Sequence, residues 1–280
     1  MPITFTLPSN PAKEIRLREA SVADAIEFTE IDPTYEEEAV TLFLNRIQEK
    51  ETFLDSRSWT GEDRRFALFN YYINTTNNES IVLTFTYKGV EQSQDVPITK
   101  ILATYTPLDG KPERDFAFNA HRIVVAPLTG LELERLEVRQ AEIDLMDEEY
   151  ERLKATGASN IDAINKYGRE VRKKKAKYFL ARVCAHIDVP SLQEDGTKES
   201  RRLAVEKFVT ELSTQDFTDL FELVGKALEE MRHGLLSEYR NGHFVLLIPG
   251  IMPDNADEEV EDGLTLSYPF QYSKVIPSVF

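Results

Sequence analysis

The chain has 280 residues, 41% hydrophobic and 29% charged, a globular composition with length for one large domain or two modest ones. Its formal net charge of -16 opposes broad contact with phosphate backbones or anionic lipid, so an anionic partner would need a local basic patch. Cys184 is the only cysteine, which excludes an internal disulfide and a Cys-rich zinc site.

From the start, Ile3, Phe5 and Leu7 alternate with threonines, and Ile15 and Leu17 alternate with charged residues, which predicts a β-hairpin or two neighbouring strands. Ser21 with Asp24, Thr34 with Glu37, and Thr60 with Asp63 resemble capping boxes, so helices are expected near residues 22 to 30, 34 to 50 and 61 to 73. Phe66, Phe69 and Tyr72 recur at helical spacing in the third, the pattern of a core stripe. Period two then takes over in Ile81, Leu83, Phe85 and Tyr87. A "KG" turn follows, and "SQDVPITKILATY" can supply return strands. One more strand is expected across "FAFNAHRIVVAPL".

Thr129 and Glu132 signal a helix start, after which Leu136, Ile143 and Tyr150 repeat every seven residues. "KATGASN" interrupts this helix, and Ser159 with Asp162 starts another. The first carries nine acidic and four basic residues between Leu131 and Lys154, whereas the second carries Lys166, Arg169, Arg172, Lys173, Lys174, Lys175 and Lys177. Opposite charge predicts an antiparallel helical hairpin, with a protein-docking surface at the lysines as the alternative and a nucleic-acid site as the weaker one. Helices near 200 to 212 and 215 to 231, a strand in "NGHFVLLIPG" and an acidic loop complete the reading up to the last strand. There Leu264, Leu266, Tyr268, Phe270 and Tyr272 share one face, and Pro269, lacking an amide hydrogen, marks a sheet edge. Val275, Ile276, Val279 and Phe280 either complete the chain's own core or dock on another subunit.

The expected fold class is α+β: a mixed, mostly antiparallel sheet with flanking helices and a long antiparallel helical hairpin. Residues 1–128 form an N-terminal α+β region, 129–188 the hairpin, and 189–280 the closing helices and strands.

Chemistry is sparse. The sequence holds no phosphate-binding glycine loop, dinucleotide fingerprint, zinc-protease helix or nucleophile elbow. Cys184 and His186, two apart near a helix end, point in different directions, so packing is the better reading for both. His121, His233 and His243 sit on separate elements, and no catalytic, cofactor or metal site is assigned. The carboxylates between Asp254 and Asp262 lack the spacing and central glycine of an EF-hand and read as a solvated loop. Candidate partner-binding residues are Pro269, Phe270, Tyr272, Val275, Ile276, Val279 and Phe280 at the end, with Lys173, Lys174 and Lys175 in the basic helix. Without the basic and apolar run of a secretory signal at its start, or an apolar stretch near the roughly 20 residues of a membrane helix, the chain is expected to act in a cytoplasm.

Three segments carry a resemblance. "FTLPSNPAKEIRLREASVADAIEF" resembles the opening of bacteriophage tail and baseplate assembly proteins, "SIVLTFTYKGVEQSQDVPI" resembles the β-hairpin of the T-even-like baseplate hub assembly family, and "PFQYSKVIPSVF" resembles the Pro-Phe start and Ile-Pro-Ser finish of such chains. Members of that family carry cysteines flanking the hairpin, whereas Tyr87 and Lys88 here have none nearby, so the resemblance implies a hairpin held by packing. It implies a non-enzymatic assembly protein or chaperone that binds other tail or baseplate proteins through sheet edges and the helical hairpin, in the host cytoplasm during assembly or in the virion tail. The alternatives are a permanent structural baseplate subunit and, further off, a small enzyme assembled from scattered residues.

Overall fold

The computed structural model describes residues 2–32, 34–155, 161–192, 197–240, 243–254 and 262–270. Strands β1 (Ile3–Leu7) and β2 (Asn10–Leu17) come first, then helices α1 (Val22–Phe28), α2 (Glu36–Ile47) and α3 (Gly61–Thr75). Strands β3 (Ser80–Tyr87) and β4 (Val90–Pro97) lead to the short helix α4 (Ile98–Leu102), and β5 (Arg114–Phe118) and β6 (His121–Val125) to the long helices α5 (Gly130–Ala155) and α6 (Ile161–Ala185). After β7 (Ile187–Asp188) come α7 (Lys198–Glu211), α8 (Thr214–Glu230) and strands β8 (Ser237–Arg240), β9 (His243–Ile251) and β10 (Leu264–Tyr268). Every strand pairing among the described residues is antiparallel, and the fold is α+β.

The chain divides into two units, one of Met1–Lys111 with Arg232–Phe280 and the other of Pro112–Met231. These boundaries differ from divisions at 128 and 188. Leu235, Leu246, Ile248, Ile251 and Phe270 return to the core built by the first hundred residues, a long-range closure that local periodicity does not encode.

In the first unit, Ile3, Phe5 and Leu7 on β1 and Ile15 and Leu17 on β2 are buried, as the alternation requires. The capping boxes at Ser21–Asp24 and Thr60–Asp63 form. The expected box at Thr34–Glu37 does not: Tyr35 takes the N-cap position without a side-chain cap. Glu37 is instead buried against α3, where Arg64 Nη2 lies 3.2 Å from its Oε2 and donates to its carbonyl oxygen at 2.5 Å, and Arg65 pairs with its carboxylate as well. A buried charge-assisted network outcompetes a solvent-side cap. The "KG" turn joins β3 to β4 with positive φ at both Lys88 (50°) and Gly89 (79°), the geometry of a two-residue hairpin loop. "ITKIL" is a helix and not a return strand, because Ile98 and Ile101, three apart, both face the core. β8, which pairs with β9, was not expected from the sequence.

In the second unit, "FAFNAHRIVV" is a hairpin of two strands and not one, turned at Asn119 (φ 45°) and Ala120 (φ 63°). Alanine gives no turn signal, which explains the difference. β7 extends this sheet on the far side of β6. Helix α5 starts at the predicted cap, with the Thr129 amide donating to Glu132 Oε2 at 3.2 Å. Leu136 and Ile143 of the heptad are buried, and Tyr150 lies where a Cβ on Gly168 would meet its ring at 2.7 Å, so only glycine lets α6 approach there. Lys174 pairs with Glu142 and Lys175 with Asp147 near the middle of both helices, while further along α5 Tyr150 faces Gly168, earlier on α6, so the two helices run antiparallel. The Ser159 cap lies outside the described residues.

Candidate functional site

The closing strand was expected to offer a docking face. Its alternation holds, with Thr265, Ser267 and Pro269 exposed and Leu264, Leu266 and Tyr268 partly buried. Phe270, however, is 2% exposed and meets the rings of Phe69 at 5.4 Å and Tyr72 at 5.5 Å, edge to face. This corrects Phe270 from a partner contact to a core residue: its strand face points at the aromatic stripe of α3, and an aromatic side chain there is covered by its own unit. Tyr272, Val275, Ile276, Val279 and Phe280 lie outside the described residues.

Pro269 follows an edge strand, since β10 is the outermost of the sheet β10-β9-β8. Its neighbour is the two-stranded sheet β3-β4. Residues 82–85 of β3 and 266–269 at the end of β10 line one cleft of about 390 Å³. Val82 projects from β3 and is 60% exposed.

The basic stretch of α6 splits in two. Lys174 Nζ lies 2.8 Å from Glu142 and Lys175 Nζ 2.8 Å from Asp147, all four side chains being solvent-exposed, so these lysines hold the hairpin's surface. Lys173 has no ion pair among the described residues. It lines, with Lys174 and Lys177, a groove of about 790 Å³ between α5, α6 and α7. Each helix presents one stripe at helical spacing: Arg139, Glu142, Ile143 and Met146 from α5; Glu170, Lys173, Lys174, Lys177 and Ala181 from α6; Leu203, Glu206, Lys207 and Thr210 from α7. The floor is apolar, from Ile143, Met146, Leu180, Ala181 and Leu203, and five of the eight charges on the rim are cationic. Leu203, 62% exposed, stands open at its side. The floor was hidden from sequence reading because Leu203 looks like an ordinary member of a short helix until α7 is placed beside the hairpin.

The histidines are dispersed. His121 Nδ1 is 2.8 Å from Ser191 Oγ, His186 donates through Nδ1 to the carbonyl oxygen of Ala126 at 2.9 Å, and His233 Nε2 sits 2.8 Å from Thr60 Oγ1. Burial lowers His186 to a pKa of about 4, keeping it neutral. Buried near His233, the Glu62 carboxyl is raised, chiefly by desolvation. Asp63 accepts from the amide and hydroxyl of Ser9, which joins the β1–β2 turn to the start of α3. Cys184 is buried, and that burial followed by the charge of Glu206 pushes its thiol up to about 12, so it is protonated and unreactive. Among the described residues no three His, Cys, Asp or Glu side chains are grouped to hold a metal ion. No family model matches the chain, and no curated protein or solved structure is significantly similar to it.

Proposed function

We propose that this protein is a non-enzymatic bacteriophage tail or baseplate assembly protein, chaperone-like, that binds other tail proteins. The sequence resemblance of its opening, its β3–β4 hairpin and its ending supports the class. The observation that carries the binding mode is the groove between α5, α6 and α7, an apolar floor under a largely cationic rim in a protein of net charge -16. Its occupant is an amphipathic helix of a tail protein with acidic flanks: the apolar stripe lies on Ile143, Met146 and Leu203, and the acids meet Lys173, Lys177 and Lys207. Surplus negative charge elsewhere keeps such complexes in solution.

The test is co-expression with the tail proteins encoded by neighbouring genes, followed by affinity purification. A tail protein should co-purify with the native chain and be lost with the Lys173→Glu, Leu203→Asp double variant. If no tail protein is retained by the native chain, the assembly function fails. Retention unaffected by the double variant rejects the groove alone. The edges of β3 and β10 favour a second reading, that of a permanent baseplate subunit, because strand addition at such edges makes lasting contacts. Mass spectrometry of purified virions separates the two: a chaperone is absent and a subunit is present at fixed stoichiometry.

A further inference from the structure

The same face of α5 continues past Arg139 through Leu136 and Arg135 to Glu132, and there it lines a second, smaller cavity of about 200 Å³. Helix α7 adds Arg201 and Arg202 to its wall. Four guanidinium groups thus share a small space in a chain with 49 acidic and 33 basic side chains.

Those guanidinium groups are incompletely neutralised. Arg139 Nη1, at 3.9 Å, and Arg202 Nε, at 3.2 Å, both address a single oxygen, Oε1 of Glu206. Arg135 and Arg201 have no ion pair among the described residues, and Arg201 Nε is buried without an acceptor. The wall itself carries two carboxylates, Glu132, which accepts from Thr129, and Asp188, so with Glu206 three carboxylates stand against four guanidinium groups. A buried N–H without an acceptor is unfavourable until one arrives, and a planar guanidinium offers parallel donors that match an oxyanion.

We infer that this cavity binds a small polyvalent oxyanion, a phosphate or a carboxylate compound, held by Arg135, Arg139, Arg201 and Arg202. Its size admits a compact anion and not a nucleic-acid strand. The one thiol on the wall, Cys184, is a spectator, being buried and protonated. This inference does not depend on the assembly function, since it concerns a different cavity and a different ligand.

The experiment titrates inorganic pyrophosphate and citrate into the full chain by calorimetry, at constant ionic strength with sodium chloride as reference. Saturable one-to-one binding of at least one probe is expected. Arg135→Gln and Arg201→Gln should each weaken it by about tenfold or more, the scale of one charge-assisted hydrogen bond. Asp188→Asn should tighten binding, because one repelling carboxylate is gone, and a misfolded variant does not mimic such a gain. A response to pyrophosphate alone identifies a phosphate ligand, one to citrate alone a carboxylate ligand, and one to both supports the shared oxyanion chemistry. Heats no larger than those of chloride for both probes, or affinities untouched by both arginine substitutions, overturn the inference.

Discussion

Glu37 and Arg64 in the first unit meet at 3.2 Å with both side chains sealed from water, whereas Glu142 and Lys174 in the second meet at 2.8 Å with both exposed. Distance alone would rank the second pair as stronger. Solvent reverses the ranking for the consequence of losing a partner, because a buried charge left alone has no water to turn to, while an exposed one does. The first unit seals the Glu37, Arg64 and Arg65 network inside one closed core, which runs from β1 through Phe270, while pairs such as Glu14–Arg16 and Glu238–Arg240 stay at its surface. In the second unit the ion pairs that join α5 to α6 lie at the surface, in contact with water.

The sharpest way to break this contrast is Glu37→Ala. It strands Arg64 and Arg65 in the core, and a loss of about 3–5 kcal/mol is expected. Trp59, the only tryptophan, is buried in the same core, so its fluorescence follows unfolding of the first unit. A stability loss from urea unfolding, midpoint shift times m-value, of less than about 1 kcal/mol would mean that the network is not sealed. Phe270→Ala tests the other closure of that core. Removing a ring packed on Phe69 and Tyr72 should cost about 3–5 kcal/mol. Full stability together with lost partner binding would return Phe270 to the docking role expected from sequence.

Acid separates the two units by mechanism. His186 has a folded pKa of about 4, below its unfolded value near 6.5, so the unfolded chain takes up the proton first. Its contribution to the second unit is complete above about pH 6.5, declines as pH falls toward 4, and declines no further below that. Asp24 in the first unit behaves differently. Its hydrogen bond from Arg18, with further help from Ser21 and Arg46, holds its pKa far below the usual carboxylate range. That contribution is intact above about pH 4 and is lost only as pH falls further. Hydrogen exchange along α6 should therefore accelerate between pH 6.5 and 4, after correction for intrinsic rates, and His186→Gln should abolish the pH dependence. An unchanged dependence in that variant would assign it elsewhere.

How far the sequence foretold this molecule depends on the range over which each signal acts. The boxes at Ser21 and Thr60 were legible because both partners lie three residues apart, and the α5–α6 hairpin because its charges differ in sign over whole helices. Glu37 was misread for the opposite reason. Its partners lie 27 and 28 residues away, and a carboxylate near a threonine looks like a cap until α3 is in place. The hairpin at Asn119 and Ala120 escaped because Ala120 adopts a left-handed conformation that alanine does not advertise. Replacing it with glycine should stabilise the second unit by about 1 kcal/mol, since the strain of a left-handed Cβ is relieved at some cost in chain entropy. A lower melting temperature for Ala120→Gly would show that the turn gains more from the side chain than it loses to strain.

The smallest expected effect on stability bears most directly on function. Lys173 and Lys175 are two residues apart on α6, both exposed, yet Lys175 holds Asp147 while Lys173 lines the groove without an ion pair among the described residues. Reversal of Lys175 to glutamate removes an exposed pair and places like charges together, a loss of at most about 1 kcal/mol that shrinks in high salt. Reversal of Lys173 removes no such pair and should leave the melting temperature unchanged. Partner binding should respond in the opposite order, with Lys173→Glu weakening capture of an acidic segment and Lys175→Glu leaving it intact. Equal losses of binding in both variants would mean that the partner senses the overall charge of the helix and not the groove, and the docking surface would then extend over the whole exposed face of α6.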